Sequence, residues 1–202
     1  MIPIVKGCST ETAQEVASLG IQVHGGMGFI EETGAAQHYR DARIAQIYEG
    51  TNGIQAIDLV MRKLPMMGGA VVRGYLDELR RTVAMVKQTN DPAFGATGAR
   101  LSDAVESLDR ATTWLLGKLD KSPDAALAGA TPYLRLFASA AGGCMLAEDA
   151  LAGIRLDDPE APSRVALARF FAENIAVQSS GLETTVTEGA DSVSQAALRG
   201  AA

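Results

Sequence analysis

Apolar residues recur at helical spacing along most of this chain. Ser9 or Thr10 can cap a segment carrying Ala13, Val16, Ala17 and Leu19, so a helix is expected over residues 9–19, ending at Gly20. Residues 24–30 read as a glycine loop. The helical pattern resumes near Glu31, where two carboxylates suit a helix N-terminus, and runs toward Ile47. Gly50 interrupts it. Thr51 can then cap a helix carrying Ile54, Ile57, Leu59, Val60 and Leu64, stopped by Pro65.

The stretch from Pro65 to Gly69 (PMMGG) reads as a boundary between two units, residues 1–64 and 70–177. Beyond it, Val72, Leu76, Leu79, Val83 and Val86 form one apolar stripe, and Leu101, Val105, Leu108, Leu115 and Leu119 a second. Residues 133–151 are apolar on most sides, with Leu134, Phe137, Ala141 and Cys144 central, which predicts the most buried helix. Val165, Leu167, Phe170, Phe171 and Ile175 supply a fourth face. Four helices joined by short turns predict an antiparallel bundle. Residues 178–202 are rich in Ser, Thr, Gly and Ala and read as a flexible tail. The fold class expected is all-α.

Composition narrows the function classes. Hydrophobic residues make up 47% of the 202 residues, enough for a core, and aromatics only 5%, which favours helix over sheet. The net charge of −6 is spread along the chain without a basic stripe, so nucleic acid is not an expected partner. No apolar run approaches the roughly 20 residues needed to span a bilayer, and no membrane association is expected. Cys8 and Cys144 match no metal or redox spacing, so no metal is expected and a cytoplasmic, reducing location fits them best. The start, MIPIVKGCSTE, lacks the apolar core of a signal peptide.

Two strings carry the chemistry. The first is QVHGGMG at residues 22–28, whose Gly25, Gly26 and Gly28 let backbone approach a ligand closely. The second is RDARIAQIYEGTNGIQ at 40–55, which sets one carboxylate, Glu49, between Tyr48 and Gly50 at the start of an expected helix. Read from the residues alone, the first string is equally a plain inter-helix turn and Glu49 a solvated glutamate at a helix end. Arg40, Asp41 and Arg43 read as an ion-paired surface that supports the loop. His24 and His38 have no nucleophile or metal-ligand partner at a usable spacing, and Trp114 reads as a core residue.

Together the two strings resemble the C-terminal signature of the FAD-dependent acyl-CoA dehydrogenases. The wording is nearest the long bacterial, 3-methylmercaptopropionyl-CoA dehydrogenase-like branch. The resemblance is dense over residues 2–64 and continues as a matching helical appendage over 65–202. It implies that residues 1–64 end the family's C-terminal helical domain, with the bundle appended. It also implies a C-terminal piece of a longer enzyme, because members of the family are far longer than this chain.

The implied reaction is α,β-dehydrogenation of an acyl-CoA thioester, with electrons passed to an electron-transfer flavoprotein. By resemblance Glu49 is the base for the α-proton, and its backbone N–H helps polarise the thioester carbonyl. A hydrated carboxylate is too weak for that task, so Tyr48 and Gly50 are expected to supply a desolvated, substrate-binding surround. Gln22, Gly25 and Gly26 are implied to meet the adenosine diphosphate part of FAD held by a neighbouring subunit, which makes a homo-oligomer the expected state. Thr51 is implied to face polar FAD atoms at a helix start. The family often has glutamine where this chain has Gly53, which removes one such contact. The chain alone is expected neither to retain FAD nor to turn over. The alternative is a non-catalytic helical oligomerisation module, favoured by apolar helix faces left without neighbours. A DNA-associated role, known in the wider superfamily, is disfavoured by the charge of −6.

Overall fold

The computed structural model describes the backbone of residues 1–200 and the side chains of residues 1–195. Every regular element among them is helical. The first helix, α1 (Ile2–Val23), is longer than expected at both ends. Pro3 fits its first turn, where no backbone N–H is needed, and Gly20 lies inside it. A single glycine weakens a helix without stopping it, and the break comes at Gly25. The short helix α2 (Gly26–Phe29) and a 3-10 turn over Glu31–Thr33 follow. The helix expected from Glu31 begins only at α3 (Ala35–Ala45), because Gly34 takes a left-handed conformation (φ 77°).

Thr51 caps α4 (Asn52–Asp58) as expected, its hydroxyl accepting from the Ile54 N–H at 3.4 Å. The helical path continues through a wide turn over Leu59–Lys63, where the Leu64 N–H reaches back to the Leu59 carbonyl at 2.8 Å. The expected boundary at 65–69 is a tight reversal: Met67, Gly68 and Gly69 all have positive φ. Gly69 is required there, since a Cβ would sit 2.8 Å from Leu116 Cδ1.

The bundle helices are α5 (Ala70–Thr89), α6 (Thr97–Lys118), α8 (Ala130–Arg155) and α9 (Ala161–Asn174), with the short α7 (Pro123–Ala128) between the second and third. Cross-helix contacts establish the antiparallel order. Arg80 on α5 meets Glu106 and Asp109 on α6. Thr112 on α6 meets the Tyr133 hydroxyl on α8 at 2.7 Å. Gly143 and Gly153 on α8 lie against Phe171 and Ala161 on α9. Leu76, Leu101, Leu108, Leu115 and Leu136 are fully buried. An aromatic set, Tyr75 stacked on Phe137 and Phe137 edge-on to Tyr133, closes the α5–α8 seam. Trp114 is partly buried against this core, as expected, with the Lys118 ammonium 5.5 Å above its ring.

The two expected units meet in one buried cluster: Ile4, Ala56, Leu59, Val60 and Leu64 join that of the bundle. Gly7 brings α1 against Leu134 of α8, where a Cβ would be 3.0 Å from Leu134 Cδ1. The supposed tail is also structured. Helix α10 (Ser179–Glu188) packs on α6 and α8, Val186 is fully buried, and Glu183 pairs with Arg110 at 2.6 Å. Leu182 packs against the same core beside Val186. Helix α11 (Ala190–Gly200) then contacts α7. Residues 201–202 of the expected tail lie outside the described residues.

Burial raises the Cys144 thiol to about 12, and burial followed by the Glu11 charge raises Cys8. The thiolate is the reactive form, so both thiols should react slowly with a disulfide reagent at pH 8, Cys144 only on unfolding. Val186→Asp should cost about 2 kcal/mol or more by placing a carboxylate in a dry groove. A urea midpoint that does not move would mean that α10 contributes nothing to stability.

The candidate active-site loop

The loop between α3 and α4 carries Tyr48, Glu49, Gly50 and Thr51 on consecutive residues. Glu49 adopts φ 54° and Gly50 φ 85°. The left-handed region costs a residue with a Cβ about 1–2 kcal/mol, so Glu49 is held there by its surroundings. Those surroundings are specific. Gln55 on α4 donates to the Glu49 carbonyl at 3.1 Å. Lys6 on α1 donates to the Gly50 carbonyl at 2.7 Å and to Asn52 Oδ1 at 2.9 Å. Asn52 Nδ2 donates to the Gly7 carbonyl at 3.1 Å and the Thr10 hydroxyl at 3.0 Å, while that hydroxyl donates to the Lys6 carbonyl at 2.8 Å. The Asn52 N–H closes the loop on the Gln46 carbonyl at 3.1 Å. Among the described residues no acceptor meets the N–H groups of Glu49, Gly50 and Thr51.

The side chains give a different picture from the one expected. Glu49 is exposed, and Tyr48 is 53% exposed. Tyr48 and Gly50 therefore build no apolar enclosure around the carboxylate within this chain. An apolar cavity of about 370 Å³ exists between Ile2, Leu64, Val72 and Phe137, but none of residues 48–51 lines it. A groove of about 530 Å³ between α1 and α3 is lined mostly by charged and polar groups, among them Glu11, Glu15, Arg43 and Arg135, and none of residues 48–51 lines it.

Gln22, Gly25 and Gly26 sit at the other end of α1. From Lys6 to Gln22 the helix rises roughly 24 Å at about 1.5 Å per residue, so the structure does not bring this turn and the Glu49 loop into one site. Gly25 (φ 59°, ψ −143°) has a conformation open only to glycine. Gly28 packs so closely that a Cβ would lie 2.3 Å from the Ile21 carbonyl oxygen, whereas nothing lies within 4 Å of one on Gly26. Exposed backbone without side chains fits contact with a polar group such as the diphosphate of FAD. It presents an edge and not an enclosure.

The RDAR segment is arranged otherwise than expected. Arg40 pairs in a fork with Glu31 (2.9 and 2.7 Å), and Arg43 donates to the Gln46 side chain. The Arg40 pair is solvent-exposed and adds little to stability. His24 bonds the Gly20 carbonyl at 2.8 Å, a local helix-end contact. No group of three metal-ligating side chains occurs among the described residues, and no helix among them is long and apolar enough to cross a membrane. Lys6, Asn52 and Gln55 escaped the sequence reading, and Thr10, expected as a helix cap, lies inside α1. The signal for Asn52 was its place directly after the Thr51 cap; nothing in the sequence marked Lys6.

Residues 1–64 match the family described as acyl-CoA dehydrogenase, C-terminal domain, and residues 75–197 match the one described as acetyl-CoA dehydrogenase C-terminal like. The chain belongs to the acyl-CoA dehydrogenase family. The 3-methylmercaptopropionyl-CoA dehydrogenase of Ruegeria pomeroyi is 40% identical over 203 residues, covering 98% of this chain and 34% of that protein. A butyryl-CoA dehydrogenase of Syntrophomonas wolfei is 28% identical over 183 residues, 86% of this chain and 30% of its own length. Human mitochondrial short-chain specific acyl-CoA dehydrogenase is 39% identical over 72 residues, 36% of this chain and 16% of its own length. The chain thus spans about a third of the length of the bacterial relatives that match most of it. Because the first of these alignments takes in nearly the whole chain, the family likeness extends to the appended helices.

Two substitutions separate backbone necessity from exposure. Gly28→Ala should cost about 1–3 kcal/mol through the clash with Ile21, and Gly26→Ala less than about 0.5 kcal/mol. Glu49→Gly should stabilise by up to about 1 kcal/mol by relieving the left-handed strain, net of glycine's entropy. Urea denaturation reads all three.

Proposed function

We propose that this chain supplies the C-terminal part of an FAD-dependent acyl-CoA dehydrogenase, which removes hydrogen from the α and β carbons of an acyl-CoA thioester. The carrying observation is the Glu49 loop: a carboxylate in a strained left-handed conformation, tied to two helices, within a segment that matches the family. In this reading Glu49 accepts the α-proton, and its N–H, unpaired among the described residues, donates to the thioester carbonyl as charge develops on the oxygen. Bound FAD would supply the acceptor for the hydride of the β-carbon. Tyr48 and Gly50 border the acyl group.

Thr51 lies beside the base and faces polar atoms of the cofactor. Gln22, Gly25 and Gly26, roughly 24 Å away along α1, contact the adenosine diphosphate part of a cofactor held by a neighbouring subunit. That separation supports a homo-oligomer with shared sites. Electrons leave to an electron-transfer flavoprotein. Two free cysteines fit a cytoplasmic location.

The base requires desolvation, and the exposure of Glu49 and Tyr48 supports its coming from protein outside this chain. This chain alone then neither retains FAD nor turns over acyl-CoA. A second reading, a helical oligomerisation module without activity, is favoured by exposed apolar residues on the same segment: Val16, Leu19, Val23, Phe29, Ile44 and Ile54.

The deciding experiment is the flavin absorbance of the purified chain after adding FAD and then a short acyl-CoA. It should remain colourless and unable to reduce an acceptor; yellow protein that bleaches would show that the chain suffices. In the flavin-loaded enzyme containing this chain, Glu49→Gln should keep its flavin and lose roughly 10²–10⁴-fold in kcat. Undiminished turnover in that variant would favour the second reading.

A further inference from the structure

The Glu49 loop has no regular hydrogen bonding of its own from Glu49 to Thr51, yet both of its central carbonyls are engaged, each from a different helix. Gln55 comes from α4 and holds the Glu49 carbonyl at 3.1 Å. Lys6 comes from α1 and holds the Gly50 carbonyl at 2.7 Å. Lys6 is half-buried, and no carboxylate lies within ion-pair distance of it among the described residues. A buried ammonium ordinarily finds an anion. Here its partners are a backbone carbonyl and the Asn52 side-chain oxygen, at 2.7 and 2.9 Å. Hydrogen bonds from a charged donor are shorter and stronger than neutral ones, so Lys6 grips the loop harder than an amide would. Asn52 extends the grip by donating to Gly7 and Thr10 on the same face of α1.

We propose that Lys6 and Gln55, with Asn52, are positioning residues for the base: they hold the Glu49 carbonyl to α4 and the Gly50 carbonyl to α1 and thereby fix the left-handed turn that presents the Glu49 carboxylate and N–H. This rests on reading Glu49 as the base. The mechanism is geometric. Release of the Gly50 carbonyl lets Glu49 relax toward an ordinary backbone conformation, which moves the carboxylate and N–H together. Displacements of about 1 Å at a reacting group can lower rate by about 100-fold.

The test has two arms. In the first, the ¹⁵N-labelled chain is compared with Lys6→Met and Gln55→Leu by amide and ¹³Cα shifts, which report backbone conformation without any flavin. The Glu49 and Gly50 resonances should leave their wild-type positions, and those of α5, α6 and α8 should stay. Unmoved loop resonances in both variants overturn the proposal. If Lys6→Met does not fold, Gln55→Leu carries this arm.

In the second arm the flavin-loaded enzyme containing this chain is assayed. Lys6→Met should lower kcat roughly 10–100-fold with KM for acyl-CoA within about twofold, and Lys6→Arg should recover part of the loss. A displaced loop with unchanged kcat overturns the positioning role. Activity in Glu49→Gln would instead sink the assignment of the base itself, and the two failures are thereby distinguished.

Discussion

The structure depends on the burial of α8 on nearly every side. Its core-facing positions carry mostly small residues, Ala140, Ala141, Gly143, Cys144, Ala147 and Ala150, all buried. Small side chains let neighbouring helices approach closely, and Gly143 shows the limit, since a Cβ would lie 2.5 Å from Leu101. Helices α1, α4, α5, α6, α9 and α10 all pack against α8. The hydrophobic gain from each contact is non-directional, and polar pairs such as Arg80 with Glu106 and Arg110 with Glu183 tie neighbouring helices at the margins.

This arrangement connects the appended helices to the chemistry. Leu134 of α8 receives Gly7 of α1, and the next turn of α1 carries Thr10, whose neighbour across the seam is Asn52, which opens α4 directly after the Glu49 loop. Helix α1 is therefore placed by the bundle, and the loop is placed by α1. Glu49 gains its unusual backbone from this chain of contacts, since its own residue type does not favour positive φ. The bundle is thus a support for the loop geometry as well as a unit of bulk. Solvent reaches the Glu49 carboxylate and the Tyr48 ring.

Much of the fold was legible. The stripes at 72–86 and 101–119 and the apolar run at 133–151 placed three bundle helices, because helical amphipathicity is a local property with a fixed period. The Thr51 cap was legible for the same reason. The end of α1 was not: Gly20 is tolerated because its neighbours on both sides keep the helix bonded. The break at Gly34 and the tight reversal at 67–69 depend on positive φ, which sequence composition only permits.

For the site, the family resemblance carried by the string around Glu49 marked it as the candidate base, and the family likeness extends over the whole chain. What the sequence by itself determined was helix content, the capping of α4 and the residues that must be glycine-like in the turn after α1. Only the tertiary structure decided that residues 1–64 and the bundle share one core, that the polar stretch after Val177 docks as α10, and that Lys6 reaches Gly50 across 44 residues. It also decided that the Gln22–Gly26 turn and Glu49 stand at opposite ends of one helix. The physical reason is common to all four. Local patterns report which backbone state is cheap, whereas contacts between distant residues depend on which surfaces are left to bury and which polar groups are left to pair.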